Sequence, residues 1–541
     1  MRKWILTAWA VFMPAFLGAQ EEVVLRAALF LSGAGSEEEA DEEWVRRLES
    51  AGKVKINSGR LRPGILSDDQ IASIGRYRAS YGDILSWEEL ALVDGFDRET
   101  VSILRPFLSL ESRRLPGTVD TVKVRSEALL RGSLKNLGIK ARTGTDSWQA
   151  GGAWRAPDWT AHAVWNGGPV RLLLGDFNAR FGEGLCYWSG FSMESLGTVD
   201  AFFKRPTGLS PVWSYSSADV HRGLAAEYEG RGWRASAFGS LKKNFGLHGE
   251  YLGRYGQASA TAGWSQADGW SASVAGRLNL RGWDLGAEAA LRHGMPAGKA
   301  SVRSRAGEMG KWALQLRLVP SRFSGKRNGE YALAAGFSLK SGRWVQLAGQ
   351  SGFGSSVPAW KLSMTADASL LPLPGVDPRR FQLRAYLTGS WQFASAWKGE
   401  IRVTERYRNY EPSRLSLRGS IQFSSGPWLS VLRAEGVHCK DWGCLCYLEG
   451  GYKGTSLQAY LRFSGFSIAN WDDRIYVYER DAPGNFSVPA YSGKGISLQG
   501  MAGYKLRLGK WTLKAYLRGG YMIRVQKEPS PTLAVQLQVQ R

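Results

Sequence analysis

From residue 118 onward, apolar and polar positions alternate with period two, interrupted by short polar turns. In the stretch 381–393, Phe381, Leu383, Ala385, Leu387, Gly389, Trp391 and Phe393 share one face. Gln382, Arg384, Tyr386, Thr388, Ser390 and Gln392 share the other. Likewise Leu415, Leu417, Ile421 and Phe423 oppose Ser416, Arg418, Ser420 and Gln422, and Trp511, Leu513, Ala515 and Leu517 oppose Thr512, Lys514, Tyr516 and Arg518. Such strands suit lipid on one side and a polar lumen on the other. They also require closure, because no sheet edge can stay unpaired in hydrocarbon.

Tryptophan recurs just after the turns, at Trp233, Trp270, Trp283, Trp312, Trp344, Trp428 and Trp511. Its ring belongs among headgroups with its N–H still wet, so these residues predict an interface girdle, with the tight turns lining the periplasmic rim. A soluble β-sandwich also alternates, but it seldom repeats a Trp after its turns. At roughly 10 residues per strand plus turns, the remaining length predicts about 16 antiparallel strands, within a range of about 14 to 20. The irregular stretches 185–218, 319–330 and 470–494 are candidate extracellular loops or lumen inserts, and Leu533, Val535, Leu537 and Val539, alternating with glutamines, read as the closing strand.

Residues 37–110 follow a helical pattern instead. The run "SEEEADEEWVRRLES" places acids before Arg46 and Arg47, the order that a helix dipole favours. Ser67 with Gln70, and Ser86 with Glu89, have capping-box spacing. Asp97 suits the N-cap of a last helix that Pro106 stops.

Composition and charge divide the chain in the same place. The 541 residues carry a formal net charge of +22. Residues 37–110 hold 15 Asp/Glu against 10 Lys/Arg, a net of −5, which leaves +26 on residues 111–541. The start has two cations, an apolar run and small residues, the layout of a secretory signal peptide over residues 1–20. The expected organisation is therefore a signal peptide (1–20), an N-terminal linker (21–36), a small all-α domain (37–110), a linker (111–117) and a large transmembrane β-barrel (118–541).

The helical stretch resembles the ComEA-like helix-hairpin-helix modules. The residues that carry the likeness are Ile56-Asn57-Ser58, Tyr77-Arg78 with Tyr81-Gly82, the "SWEEL" segment at 86–90, and Leu92-Val93-Asp94-Gly95-Phe96. With "LGDFNARFGEGLCYWSGFS" (174–192) and "DDRIYVYERDAPGNFSVPAYSGKG" (472–495), the chain resembles large exported proteins of Bacteroidota-type bacteria that carry such a module before a barrel. The resemblance implies the outer membrane of a Gram-negative bacterium, with the helical domain on the periplasmic side or in the lumen. It also implies hairpin backbone amides open to phosphate at Gly64 and Gly95, assisted by Arg60, Arg62, Arg76 and Arg78. Leu66 and Asp97 replace the second glycine of each hairpin, and Asp94 and Asp97 put negative charge where phosphate would approach.

Candidate chemistry is sparse. The five His have no metal-ligand spacing and no nucleophile motif accompanies them, so neither a catalytic site, a metal nor a cofactor is expected, and the chain is expected not to be an enzyme. Cys439, Cys444 and Cys446 are candidates for one disulfide in an oxidising compartment. Arg277, Arg317, Arg384, Arg402, Arg418, Lys514 and Arg518 fall on the polar faces of their strands and predict a basic lumen, suited to anions or to polyanions such as DNA. Two functions follow as expectations. One is binding or passage of an anionic polymer. The other is a non-enzymatic envelope scaffold whose acidic helical domain plugs the barrel or recruits a partner protein. Membrane lipid and lipopolysaccharide are the expected surroundings in both.

Overall fold

The structure is a computed structural model that describes residues 20–541 apart from 51, 59–60, 62–63, 112–123, 135, 146, 191–195, 231, 254, 281, 305–308, 325–328, 348–355, 374–376 and 526. The expected signal peptide, apart from Gln20, and Arg60 and Arg62 of the expected hairpin lie outside the described residues, as does nearly all of the linker 111–117.

Five helices form the N-terminal unit: α1 (Gln20–Ser32), α2 (Glu42–Ser50), α3 (Asp68–Tyr81), α4 (Trp87–Leu90) and α5 (Arg98–Leu104). Residues 21–36, expected as a linker, are mostly helix α1, because Val24, Leu25, Ala27, Ala28 and Leu31 form an apolar stripe that the small domain needs to close its core. The acidic run at 36–50 is not one helix: a short 3-10 turn, Glu37–Glu39, precedes α2. Ser67 and Gln70 cap α3 reciprocally. Ser86 caps α4, but Glu89 reaches one residue further back, to the Leu85 amide. Asp97 caps α5 by accepting from the Thr100 amide at 2.8 Å. Ile56, Ile74, Ile84, Leu90, Leu104 and Leu108 have no measurable exposure, and burial of each such side chain stabilises the unit by about 1.5–3 kcal/mol. Buried Asn57 ties distant segments together: its amide donates to the Ile84 and Leu110 carbonyls at 2.9 and 2.8 Å and accepts from the Ile84 N–H at 3.0 Å.

The rest of the described chain is a closed antiparallel barrel. Twenty-four strands pair in sequence order, from Arg125–Ser133 to Lys527–Gln540, and these two close the ring over the register Glu127↔Gln540 to Ser133↔Ala534. Twenty-four replaces the expected 16 and lies outside the range of 14 to 20. The physical reason is turn length: Gly269–Leu280, Trp283–Arg292 and Met295–Ser304 place three strands within 36 residues. Short connections such as His293-Gly294, both at positive φ, match the twist of a tight hairpin.

Alternation sets the two faces. Leu383, Leu387, Trp391 and Phe393 are exposed on the outer face, whereas Gln382 is buried on the lumen side. Successive strands reverse direction, so their ends define two rims. Trp233, Trp283, Trp312, Trp428 and Trp511 begin strands at one rim, and Trp344 lies in the connection between Glu330–Lys340 and Trp360–Leu370 at that same rim. Cross-strand stacking reinforces it, with ring centroids 4.8 Å apart for Trp233 and Tyr251 and 4.9 Å for Trp283 and Trp312. Trp270 belongs to the opposite rim, paired with Trp264, so the girdle residues do not all share one edge. Most connections at the Trp-rich rim are short, and we call it the turn rim. The longest connections, 181–220 and 469–492, leave the opposite, loop rim and fold inward.

Candidate functional site

The lumen is where the two regions of opposite charge meet. Its centre is a quartet of two acids and two bases. Glu38 accepts from Arg418 at 2.9 Å and from Arg433 at 2.6 Å, and both guanidinium groups also reach Glu435, at 3.0 and 2.5 Å. Beside it Glu39 accepts from Arg402 at 2.7 Å. Burial pushes the Glu38 carboxyl up, but Arg418 and Arg433 outweigh it and hold the group well below the usual carboxylate range. Charges this far from water persist only when paired and hydrogen-bonded.

Toward the turn rim the helices are fastened to strand ends. Glu22 of α1 accepts from Lys453 at 2.6 Å. Asp68 at the start of α3 meets Arg234 at 3.0 Å, and that guanidinium also holds Glu250 at 2.7 Å. Asp97 accepts from Lys340 at 3.1 Å, and Glu99 from Lys340 at 3.2 Å and Lys361 at 2.9 Å. Burial raises Glu22 and Glu99, yet Lys453 in one case and Lys361 with Lys340 in the other bring each down to about 2. Asp97 is likewise lowered, with Lys311 and Lys340 overcoming its burial.

From the loop rim the two long connections complete the closure. Arg180, fully buried at the strand end from which the first of them leaves, holds Asp41 at 3.3 Å and Glu43 at 2.6 Å. Thr198 donates to the Gly33 carbonyl at 2.7 Å, and the Gly484 N–H donates to Glu49 at 2.7 Å. Tyr478, Phe486 and Val488 join the apolar core of the helical unit. Helices from one side and loops from the other thus share one interface inside the barrel. The expected stretches 185–218 and 470–494 lie almost entirely within these two connections.

The predicted basic positions occupy distinct places in this arrangement. Arg402 and Arg418 contact the helical unit. Arg277 holds Glu183, and Arg518 holds Asp481 at 2.7 Å and Glu479 at 2.5 Å, all on the in-folded loops. Arg317 pairs with Glu330 at 2.8 Å, and Arg384 with Asp367 at 2.8 Å, wall to wall or at a strand end. Lys514 forms no ion pair among the described residues. Sequence reasoning missed Arg234, Lys340, Lys361, Arg433 and Lys453. Arg234 was findable, since it follows outward-facing Trp233 by one residue and so must point inward.

The hairpin residues are engaged within the protein. The Gly95 carbonyl accepts from the Gln70 side chain at 2.9 Å, and a Cβ at Gly64 would stand 3.3 Å from the Arg47 guanidinium. Arg76 donates to Ser73 at 2.8 Å, and Arg78 donates to the Ser58 carbonyl at 2.7 Å and meets Asp83 at 3.1 Å. All four cysteines are free thiols, with Cys444 and Cys446 exposed on the barrel's outer face, so the expected disulfide among Cys439, Cys444 and Cys446 is not formed. The Cys439 thiol, on the turn before the strand Trp442–Lys453 that carries the other two, donates to the Pro412 carbonyl at 3.7 Å instead of meeting either of them. Among the described residues no group of three or more His, Cys, Asp or Glu is placed to hold a metal, and no helix is long and apolar enough to cross a membrane.

The helical unit leaves part of the lumen open. A cavity of about 1340 Å³ lies between α2 and the wall, bordered by Arg47, Glu127, Arg142, His162 and Arg171. A smaller one of about 230 Å³ adjoins it near the turn 454–456.

No protein-family model matches the chain, and no curated protein matches it. Among solved structures, it is similar to the translocation pore of the P pilus usher PapC, at 8% identity over 77% of this chain and 98% of that one, with a TM-score of 0.36. It is also similar to the siderophore receptor PirA from Pseudomonas aeruginosa, at 8% identity over 78% of this chain and 81% of that one, TM-score 0.40. OccK5 (OpdH) of the same organism matches at 8% identity over 77% and 96%, TM-score 0.30. At these TM-scores the likenesses bear on no detail of this chain.

Proposed function

We propose that this protein is an outer-membrane β-barrel of a Gram-negative bacterium whose pore is closed by its own helical domain, docked from the periplasmic side. The apolar outer face and the interfacial tryptophans support a membrane location. Short turns at the rim from which the helices enter support the periplasmic assignment. The observation that carries the plug reading is the run of ion pairs from Glu22, Glu38, Glu39, Asp68, Asp97 and Glu99 to the barrel wall. Of the two expected functions, the geometry therefore favours the plugged barrel.

Passage of an anionic polymer, DNA included, requires the plug to leave. In the docked state Asp97 and Glu99 already face Lys340 and Lys361, so the α5 end of the hairpin is spent on the wall rather than open to phosphate. Single-channel recording in planar bilayers tests the plug. The native chain is expected to conduct little, and a Lys340→Glu, Lys361→Glu protein to show frequent large openings. Equal conductance of the two sinks the proposal.

A second reading, recruitment of an envelope partner, is favoured by Tyr81, Leu85 and Leu92 of the helical unit, which are 77%, 74% and 82% exposed. Its test is crosslinking in intact cells, where Leu92→Asp should abolish any adduct formed through this surface.

A further inference from the structure

The inward row of the barrel beside the seam gathers like charges. Lys505 stands directly opposite Lys514 in the pairing of Gly493–Leu508 with Trp511–Arg524. Continuing around the wall, Lys514 is opposite Gln538, Gln538 opposite Leu129, and Leu129 opposite Lys140. Like charges directly opposite each other destabilise a sheet. The opposed cations Arg402 and Arg418 each meet a carboxylate of the helical unit, but among the described residues Lys140, Lys505 and Lys514 form no ion pair.

These three lysines border the cavity of about 230 Å³, closed on the plug side by Val24 of α1 and Glu49 of α2. Five cations and two carboxylates line it, a net of +3. Both carboxylates are engaged: Glu127 accepts from Arg142 at 2.8 Å and from Gln540 at 3.0 Å, and Glu49 accepts from the Gly484 amide. Of the cations, Arg142 is held by Glu127 and Arg46 by Glu42. The Trp213 indole N–H donates to the Gly152 carbonyl at 3.1 Å, which leaves its ring as a flat wall beside Arg142.

We propose that this cavity is a binding site for a compact, multiply charged oxyanion of the phosphate type. The volume suits a small occupant. Lys140 donates to the Gly484 carbonyl at 3.5 Å and lies 4.2 Å from the Tyr215 ring centroid, so the uncommitted cations are Lys505 and Lys514, point charges that gather around a tetrahedral anion, whereas the arginine forks that would favour a planar carboxylate are already paired. Outside the wall Leu130, Ile139 and Leu537 face outward, so the occupant arrives as a solute from the turn rim, past Gly454–Ser456, and not as a lipid headgroup. The site does not rest on the plug's being mobile.

Calorimetric titration of the detergent-solubilised full chain with inorganic phosphate tests it. Binding is expected for the native protein, about tenfold weaker in Lys514→Gln and weaker again in Lys505→Gln, Lys514→Gln. Arg507→Gln removes the same charge from an exposed neighbouring position and should leave the affinity unchanged. Removal of opposed like charges should not lower the unfolding temperature, and phosphate should raise that of the native protein more than chloride at equal ionic strength. No phosphate binding by the native chain overturns the proposal, as does equal affinity in Lys514→Gln and Arg507→Gln. Tighter binding of a short-chain phosphatidic acid than of phosphate overturns the assignment to a solute.

Discussion

The Glu38 carboxylate lies 2.6 Å from the Arg433 guanidinium, although 395 residues separate them in the chain. One belongs to the acidic helical unit and the other to the barrel wall. Glu38→Gln would leave Arg418 and Arg433 sharing Glu435 alone in a buried setting. Loss of one partner from a buried ion cluster costs about 3–5 kcal/mol. The expected outcome is a loosened plug in an intact barrel, read as new protease cleavage within residues 37–110 and as larger conductance.

Acid should undock the plug. Glu22 and Glu99 are held at about 2, and Glu38 and Asp97 are also depressed. In the undocked chain such carboxyls titrate near about 4. Their contribution is therefore fully present above about pH 4.5 and disappears as the pH falls through about 2. Burial raises Glu37 and Asp41, which act in the opposite direction, favouring the docked state at low pH and losing that favour as they ionise. With four depressed groups against two, conductance should rise between about pH 5 and pH 2. A flat profile would count against electrostatic docking.

Gly33 ends α1 against the in-folded loop. Its φ is +71°, and an added Cβ would stand 2.5 Å from the Ala201 backbone. Gly33→Val should destabilise this junction by about 1–3 kcal/mol through strain and overpacking. Hydrogen exchange of residues 196–202 is the check, with faster exchange expected there and no change in the strands near Trp511.

Asn57→Ala removes three hydrogen bonds and leaves the buried Ile84 N–H and carbonyl unpartnered, at about 1–3 kcal/mol each, with a smaller loss at the part-buried Leu110 carbonyl. In hydrogen exchange the helical unit should lose protection while the barrel strands keep theirs.

Four free thiols have a direct readout. Without reductant, the denatured chain should take up four maleimides, and the folded protein should leave buried Cys186 unlabelled. Uptake of only two after denaturation would reveal a disulfide.

Much of the architecture is present in local pattern. Period-two alternation around Phe381–Phe393 determines which face turns outward, and the spacing of Ser67 with Gln70 and the place of Asp97 determine where α3 and α5 begin. These are properties of neighbouring residues, so the sequence alone specifies them. Strand number is different: it depends on how few residues each turn consumes, and the tight turns around Trp283 raise the total to twenty-four. The opposite charges of the two regions were also in the sequence, at −5 and +26. Which carboxylate meets which cation was not, because Glu38 meets Arg433, and Asp97 meets Lys340, only once barrel closure brings distant strands around the helices. The same closure spends Asp97 on the wall and leaves Lys505 facing Lys514 beside a cavity. Alternation and capping act over a few residues; partner choice across a lumen is decided by three-dimensional placement.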